Sequence, residues 1–155
     1  MPIRRVTTEE DQADIILSDV CPDGAVKWYP LLEEEYVAVV PSDCFPGRRS
    51  IRREELYAFP FIQTNESKLH SYFDSTQFAE IIQLESIEDT TTVSLVKERI
   101  GVAVLPHLVM KKRIRGVRIL TLEPIITRSL GIAVKAGKLS GATAWFVHYL
   151  QEAFS

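Results

Sequence analysis

The chain has 155 residues, a formal net charge of −3, and 46% hydrophobic and 25% charged residues, a balance that supports one globular domain or two small lobes. Acidic and basic residues are interspersed, which excludes the strongly positive field of a free-standing nucleic-acid binder. Two cysteines and three histidines, with no CxxC pair and no HExxH spacing, give no disulfide framework and no metal-ligand set. A reducing cytoplasm is the expected compartment.

In chain order, the opening MPIRRVTTEEDQ is polar where a signal peptide would be apolar, and no apolar run reaches the roughly 18 residues that span a bilayer. Residues 14–17 read as a strand, and Cys21-Pro22-Asp23-Gly24 as a turn. Residues 28–40 read as a crossing between lobes and carry the β-rich run Tyr36-Val37-Ala38-Val39-Val40. Pro41-Ser42-Asp43 and Pro46-Gly47 break it, a short turn at Arg53-Glu54-Glu55-Leu56 follows, and 59–62 is the next strand. Residues 67–79 predict a helix with Leu69, Tyr72 or Phe73, and Phe78 on one side.

A strand at 81–84 leads to a helix at 89–99, with Thr91, Val93, Leu95, Val96 and Ile100 inward. Gly101 suits a left-handed turn at that helix end, before a strand at 102–105 that Pro106 stops. Strands at 117–122 and 130–134 follow, within a second crossing over 120–134, and Gly137-Lys138 is a breaker. The last helix covers 140–154, capped by Ser140 and burying Trp145, Phe146, Tyr149 and Leu150. Strand and helix in alternation predict an α/β protein, with a mainly parallel sheet from the runs at Val37, Phe61, Ile82, Val104 and Ile119, helices covering both faces.

No GxSxG elbow, P-loop or GxGxxG is present, so hydrolase chemistry and nucleotide binding have no motif to stand on. Cys21 and Cys44 lack an adjacent base, and His70, His107 and His148 are read as surface or edge residues. The basic clusters at 48–53 and 111–118 are read as solvated faces. These residues predict no catalytic set, no cofactor and no metal.

The order of pieces carries more than any single motif. A strand at Ala13-Asp14-Ile15-Ile16-Leu17, the crossing from Tyr29-Pro30 to Pro41-Ser42-Asp43, the Arg53-to-Leu56 turn leading to Pro60-Phe61-Ile62, and the Gly101-to-Pro106 strand succeed one another. This succession resembles the effector-binding domain of LysR-type transcriptional regulators, from about Ala13 to Phe154. The resemblance implies a type 2 periplasmic-binding-protein-like fold with two lobes and mainly parallel sheets. The second lobe is expected at about 36–122 and complete; the first, at about 1–35 and 123–155, lacks its opening β-α-β, and the DNA-binding domain lies outside the chain.

The function so implied is small-molecule sensing and oligomerisation in a cytoplasmic regulator, with no catalysis and no membrane. Solute-binding proteins of transporters, and enzymes that reuse the fold, are the alternatives. The resemblance places a carboxylate effector between the lobes, against strand-end loops and helix amino ends. The matching positions are Ser18, Gln63, Thr64, Asn65, Ser67, Leu105, Pro106 and Thr127, with Arg128 beside the last; Glu66 would repel an anion. Apolar faces at Ile15, Ile132 and the Trp145 helix lack the covering of the missing elements, so a homo-oligomer is expected.

Overall fold

The structure is a computed structural model that describes residues 14–22, 26–84, 88–137 and 139–155. The opening polar segment, the Asp23-Gly24 turn and Lys138 lie outside the described residues. In chain order the elements are β1 (Ile15–Ser18), β2 (Val26–Pro41), β3 (Ser50–Arg52), α1 (Arg53–Leu56), β4 (Pro60–Gln63) and α2 (Ser67–Tyr72). There follow β5 (Glu80–Gln83), α3 (Asp89–Lys97), β6 (Ala103–Pro106), β7 (Val117–Glu123), β8 (Thr127–Lys135) and α4 (Gly141–Ala153). Short 3-10 turns sit at Ser75–Gln77 and His107–Met110.

Two units divide the chain. One is Glu35–Thr127; the other joins the residues up to Glu34 with Arg128–Ser155. β2 contributes to both.

In the Glu35–Thr127 unit, β2 is antiparallel to β6 and to β7, whereas β3 is parallel to β7, β4 is parallel to β5, and Phe61 bridges Val102 in parallel. Every strand of this unit except β2 therefore points the same way. The five runs read from the sequence are all strands; β2, β6 and β7 lie in one sheet, made mixed by the opposite sense of β2, while β4 and β5 form a two-stranded parallel sheet joined to it at the Phe61–Val102 bridge. The sequence reading missed β3, which is three residues long and carries too few positions to show a period of two.

The pleat sorts the apolar side chains onto two faces. Tyr36, Ala38, Val40, Phe61, Val104, Leu120 and Leu122 pack with Leu56, Leu69 and Phe73. Val37, Val39, Ile62, Ala103, Leu105 and Val117 pack with Val93, Val96 and Met110. One face is thus closed by α1 and α2, the other by α3 and the 107–110 turn.

Several helix expectations are corrected. α2 stops at Tyr72, because Phe73 is extended and the Asp74 carboxylate accepts the Thr76 N–H to start a separate 3-10 turn, the turn chemistry that Asp and Thr supply in competition with a helix. α3 buries Thr92, Val93 and Val96, while Thr91 and Ile100 face solvent.

The helix-to-strand turn also differs from its reading. The left-handed residue is Arg99, at φ 62°. Gly101 serves a different need, since a Cβ there would lie 2.5 Å from the Pro60 carbonyl oxygen, where Val102 donates to that same oxygen at 2.9 Å.

In the other unit, β1 pairs antiparallel with β8, and Ile132, Val134 and Val147 form a small core with Ile15, Tyr29, Leu31 and Leu150 against it. Ser140 caps α4 as expected, its Oγ accepting the Thr143 N–H at 3.2 Å. The buried stripe is Thr143 and Val147, with Leu150 partly covered, and Trp145, Phe146 and Tyr149 are exposed. Apolar residues lie on both sides of this helix, so residue type alone did not select the inward one.

Candidate functional site

β4 and the loop after it assemble the most chemically specific place in the Glu35–Thr127 unit. Phe61 and Gln63 share one face of β4 by the period of two, and their register partners on β5 are Ile81 and Gln83. Opposed side chains on one face of a sheet touch: Gln83 Nε2 donates to Gln63 Oε1 at 2.7 Å. Gln63 Nε2 in turn lies 3.4 Å from His70 Nε2 on α2.

A cavity of about 160 Å³ opens here, lined by Gln63, Thr64 and His70 and walled by Phe61, Phe73 and Phe78. The rings brace one another, Phe61 stacking on Phe78 at 4.4 Å and Phe73 lying 5.1 Å from Phe61. For scale, an apolar cavity of roughly 150 Å³ accepts benzene.

Thr64 is the anomaly of this cavity. It is 8% exposed, and its Oγ1 is buried without a hydrogen-bond partner among the described residues. A buried hydroxyl left unpaired costs about 1–3 kcal/mol, and the residue that carries it is one of those lining the cavity.

The other expected positions are placed differently. Asn65 is exposed and does not line the cavity. Ser67 opens α2, and its side chain is outside the described atoms. Leu105 is fully buried in the core, and Pro106 is buried opposite Tyr36 in the β2–β6 ladder. The carbonyl of Thr127 accepts from Lys68 Nζ at 2.8 Å. In the other unit, Ser18 Oγ accepts the Val20 N–H at 3.1 Å, and Arg128 Nε donates to Glu34 Oε1 at 2.6 Å, with both side chains largely buried.

Of the expected set, the cavity therefore gathers Gln63 and Thr64. Glu66, suspected of repelling an anion, accepts the Tyr36 hydroxyl at 2.9 Å. His70, read as a surface or edge residue, is exposed, and it also lines the mouth of the cavity, a place the sequence reading did not give it. The signal was available in its place on the helix that follows Thr64, one position after the buried Leu69 and three before Phe73. α2 has six residues and no side-chain cap, so anion binding at its amino end contributes nothing to the site's case.

The family model for the LysR substrate binding domain matches residues 8–155. The chain belongs to that family. This LysR substrate-binding domain is 26% identical over 147 residues to the uncharacterized HTH-type transcriptional regulator YybE of Bacillus subtilis, covering 90% of the chain and 50% of that protein. It thus spans half the length of that relative.

Among solved structures, the domain is similar to the Synechocystis CcmR regulatory domain in complex with 2-PG, at TM-score 0.76 and 19% identity, over 95% of this chain and 76% of that one. It is also similar to the reduced OxyR regulatory domain of Pseudomonas aeruginosa, at TM-score 0.70 and 19% identity, over 90% and 72%. A BenM effector-binding-domain variant matches at TM-score 0.73 and 15% identity, over 95% and 76%. At these identities the likenesses establish the type 2 periplasmic-binding-protein-like regulatory fold.

Proposed function

We propose that this LysR substrate-binding domain senses a small carboxylate and transmits its binding to a DNA-binding part of a transcriptional regulator. The observation that carries the reading is the buried, unpartnered Thr64 Oγ1 beside the aromatic-walled cavity. A ligand oxygen that pairs with it, once the Thr64 side chain turns about χ1 toward the cavity, removes a desolvation cost present in the free protein. Gln63 adds an amide and the phenylalanines a ring-sized apolar wall. The family membership and the regulator named among its relatives support the regulatory role.

Sensing of this kind needs no bond to be made or broken. The ligand shifts a conformational equilibrium by the difference in its affinity for two arrangements. We place the regulator in the cytoplasm, working as a homo-oligomer: in the unit that holds α4, Leu17, Val20, Trp145, Tyr149 and Phe154 are exposed, apolar side chains that a second copy would cover.

Calorimetry against a panel of aromatic and aliphatic carboxylates tests the site. Thr64→Val is expected to weaken the best ligand by about tenfold, the worth of one hydrogen bond to a charged group, and the ligand should be recovered chemically unchanged. Tight binding that survives Thr64→Val together with Gln63→Ala would move the site elsewhere. Sedimentation of the purified chain as a 17.6 kDa monomer at tens of micromolar would remove the homo-oligomer.

A further inference from the structure

A second, larger concavity of the Glu35–Thr127 unit lies away from Thr64, where the 107–110 turn, the loop at 111–116 and the start of β7 border about 630 Å³. Lys111, Lys112, Arg113 and Arg118 line it, over an apolar floor that includes Met110 and Val117. No carboxylate is among its lining residues, although the chain as a whole is acidic.

Lys111, Lys112 and Arg113 are exposed, and among the described residues none of them forms an ion pair. Arg118 is held differently. Its guanidinium donates to the carbonyls of Phe45, at 2.8 Å, and of Cys44 and Arg48. Cys44 and Phe45 pack on the face of the sheet opposite Val117, so the Arg118 guanidinium is directed away from the hollow and its charge is not counted there.

We infer that this concavity is a second ligand site, for a phosphate-bearing metabolite. Three like charges, those of Lys111, Lys112 and Arg113, around one hollow repel one another and concentrate the field within it, an arrangement that an anion relieves. A single carboxylate would balance one of them, whereas a phosphate or diphosphate brings two or more charges and several acceptor oxygens. Arg113 can meet two such oxygens at once with its planar fork, and the lysines supply point charges. The volume lies within the range of about 300–1,000 Å³ typical of small-ligand sites, and a hollow with an apolar floor suits a compact organic phosphate better than the convex backbone of a duplex.

Titration calorimetry of the full chain with inorganic pyrophosphate and with ADP, at low salt, tests the assignment. Pyrophosphate is expected to bind, and Lys111→Ala/Lys112→Ala/Arg113→Ala to weaken it at least about tenfold through loss of charge-assisted contacts. Arg49→Ala/Arg52→Ala/Lys68→Ala, with the same change in net charge and at residues that do not line the hollow, is expected to stay within about twofold of the parent, as solvent-screened charges should. Matching melts establish that both variants fold; should the first triple variant melt early, Lys112→Ala alone is expected to weaken binding about threefold. The apolar floor requires ADP to bind at least as tightly as pyrophosphate. Absence of binding to both probes, equal losses in the two triple variants, ADP weaker than pyrophosphate, or tighter retention of a random-sequence duplex through the same three residues would each overturn the assignment.

Discussion

Single side chains carry the sharpest tests. Thr64→Val removes a buried hydroxyl that has no partner among the described residues, so the ligand-free protein is expected to keep its melting temperature or gain up to about 1 kcal/mol. A loss of stability would mean that the hydroxyl is satisfied within the fold. Glu55 is the opposite case. Its carboxylate accepts both guanidinium nitrogens of Arg48, at 2.5 and 2.7 Å, and the Arg52 N–H at 2.9 Å. The Arg48 hydrogen bonds, then the Arg52 N–H, hold its pKa at about 2, below the ordinary 4.5.

A depressed folded-state pKa stabilises the fold above the unfolded value, and this contribution fades as pH falls from about 4.5 to about 2. Glu55→Gln is therefore expected to cost roughly 1 kcal/mol at neutral pH, the partial exposure of Arg48 limiting the effect, and the difference from the parent should close near pH 2. Urea melts at pH 7 and pH 2.5 measure it. At Gly101 the sequence showed that a glycine was needed and misjudged why. The demand comes from the Pro60 carbonyl across the β4–β6 contact, a tertiary approach that no local pattern announces. Gly101→Ala is expected to cost about 1–3 kcal/mol by overpacking, and an unchanged melt would show that the neighbouring strand yields.

At the scale of elements, strands were more legible than helices. The run at 36–40 announced itself by continuous β-branched and apolar residues, because this part of β2 is covered on both faces. The limits of α2 were hidden, since Leu69, Phe73 and Phe78 keep a helical spacing while Asp74 diverts the backbone into a new turn. Thr64 could be singled out by type, but His70 joined it only once β4 and α2 were set against each other. α4 shows the same limit, and its two faces make a test. Val147→Ala is expected to cost about 2 kcal/mol as a buried truncation, while Trp145→Ala should stay within about 0.5 kcal/mol as an exposed one. Thermal melts giving the reverse order would place the core on the aromatic side of the helix.

Across the whole molecule, β2 is the common member of the two units, and every strand it pairs with, β6, β7 and β8, comes from the second half of the chain. Contacts that bridge such long sequence separations form slowly. Glu35–Thr127 is one uninterrupted stretch, whereas the other unit draws its strands from both sides of that stretch. Native-state hydrogen exchange is expected to show the longest protection at Val37–Val39 and Ala103–Leu105, which sit inside the larger core, and early exchange at β1, which among the described residues pairs with β8 alone. Equal protection of β1 and β6 would show one cooperative unit where the fold contains two. For a chain emerging from the ribosome, the continuous unit can close as soon as Thr127 is clear. β1 must then wait, its ladder groups and Ile15 without the β8 partners Ile132 and Val134, until β8 is made, and this interval is when the nascent protein most needs a chaperone.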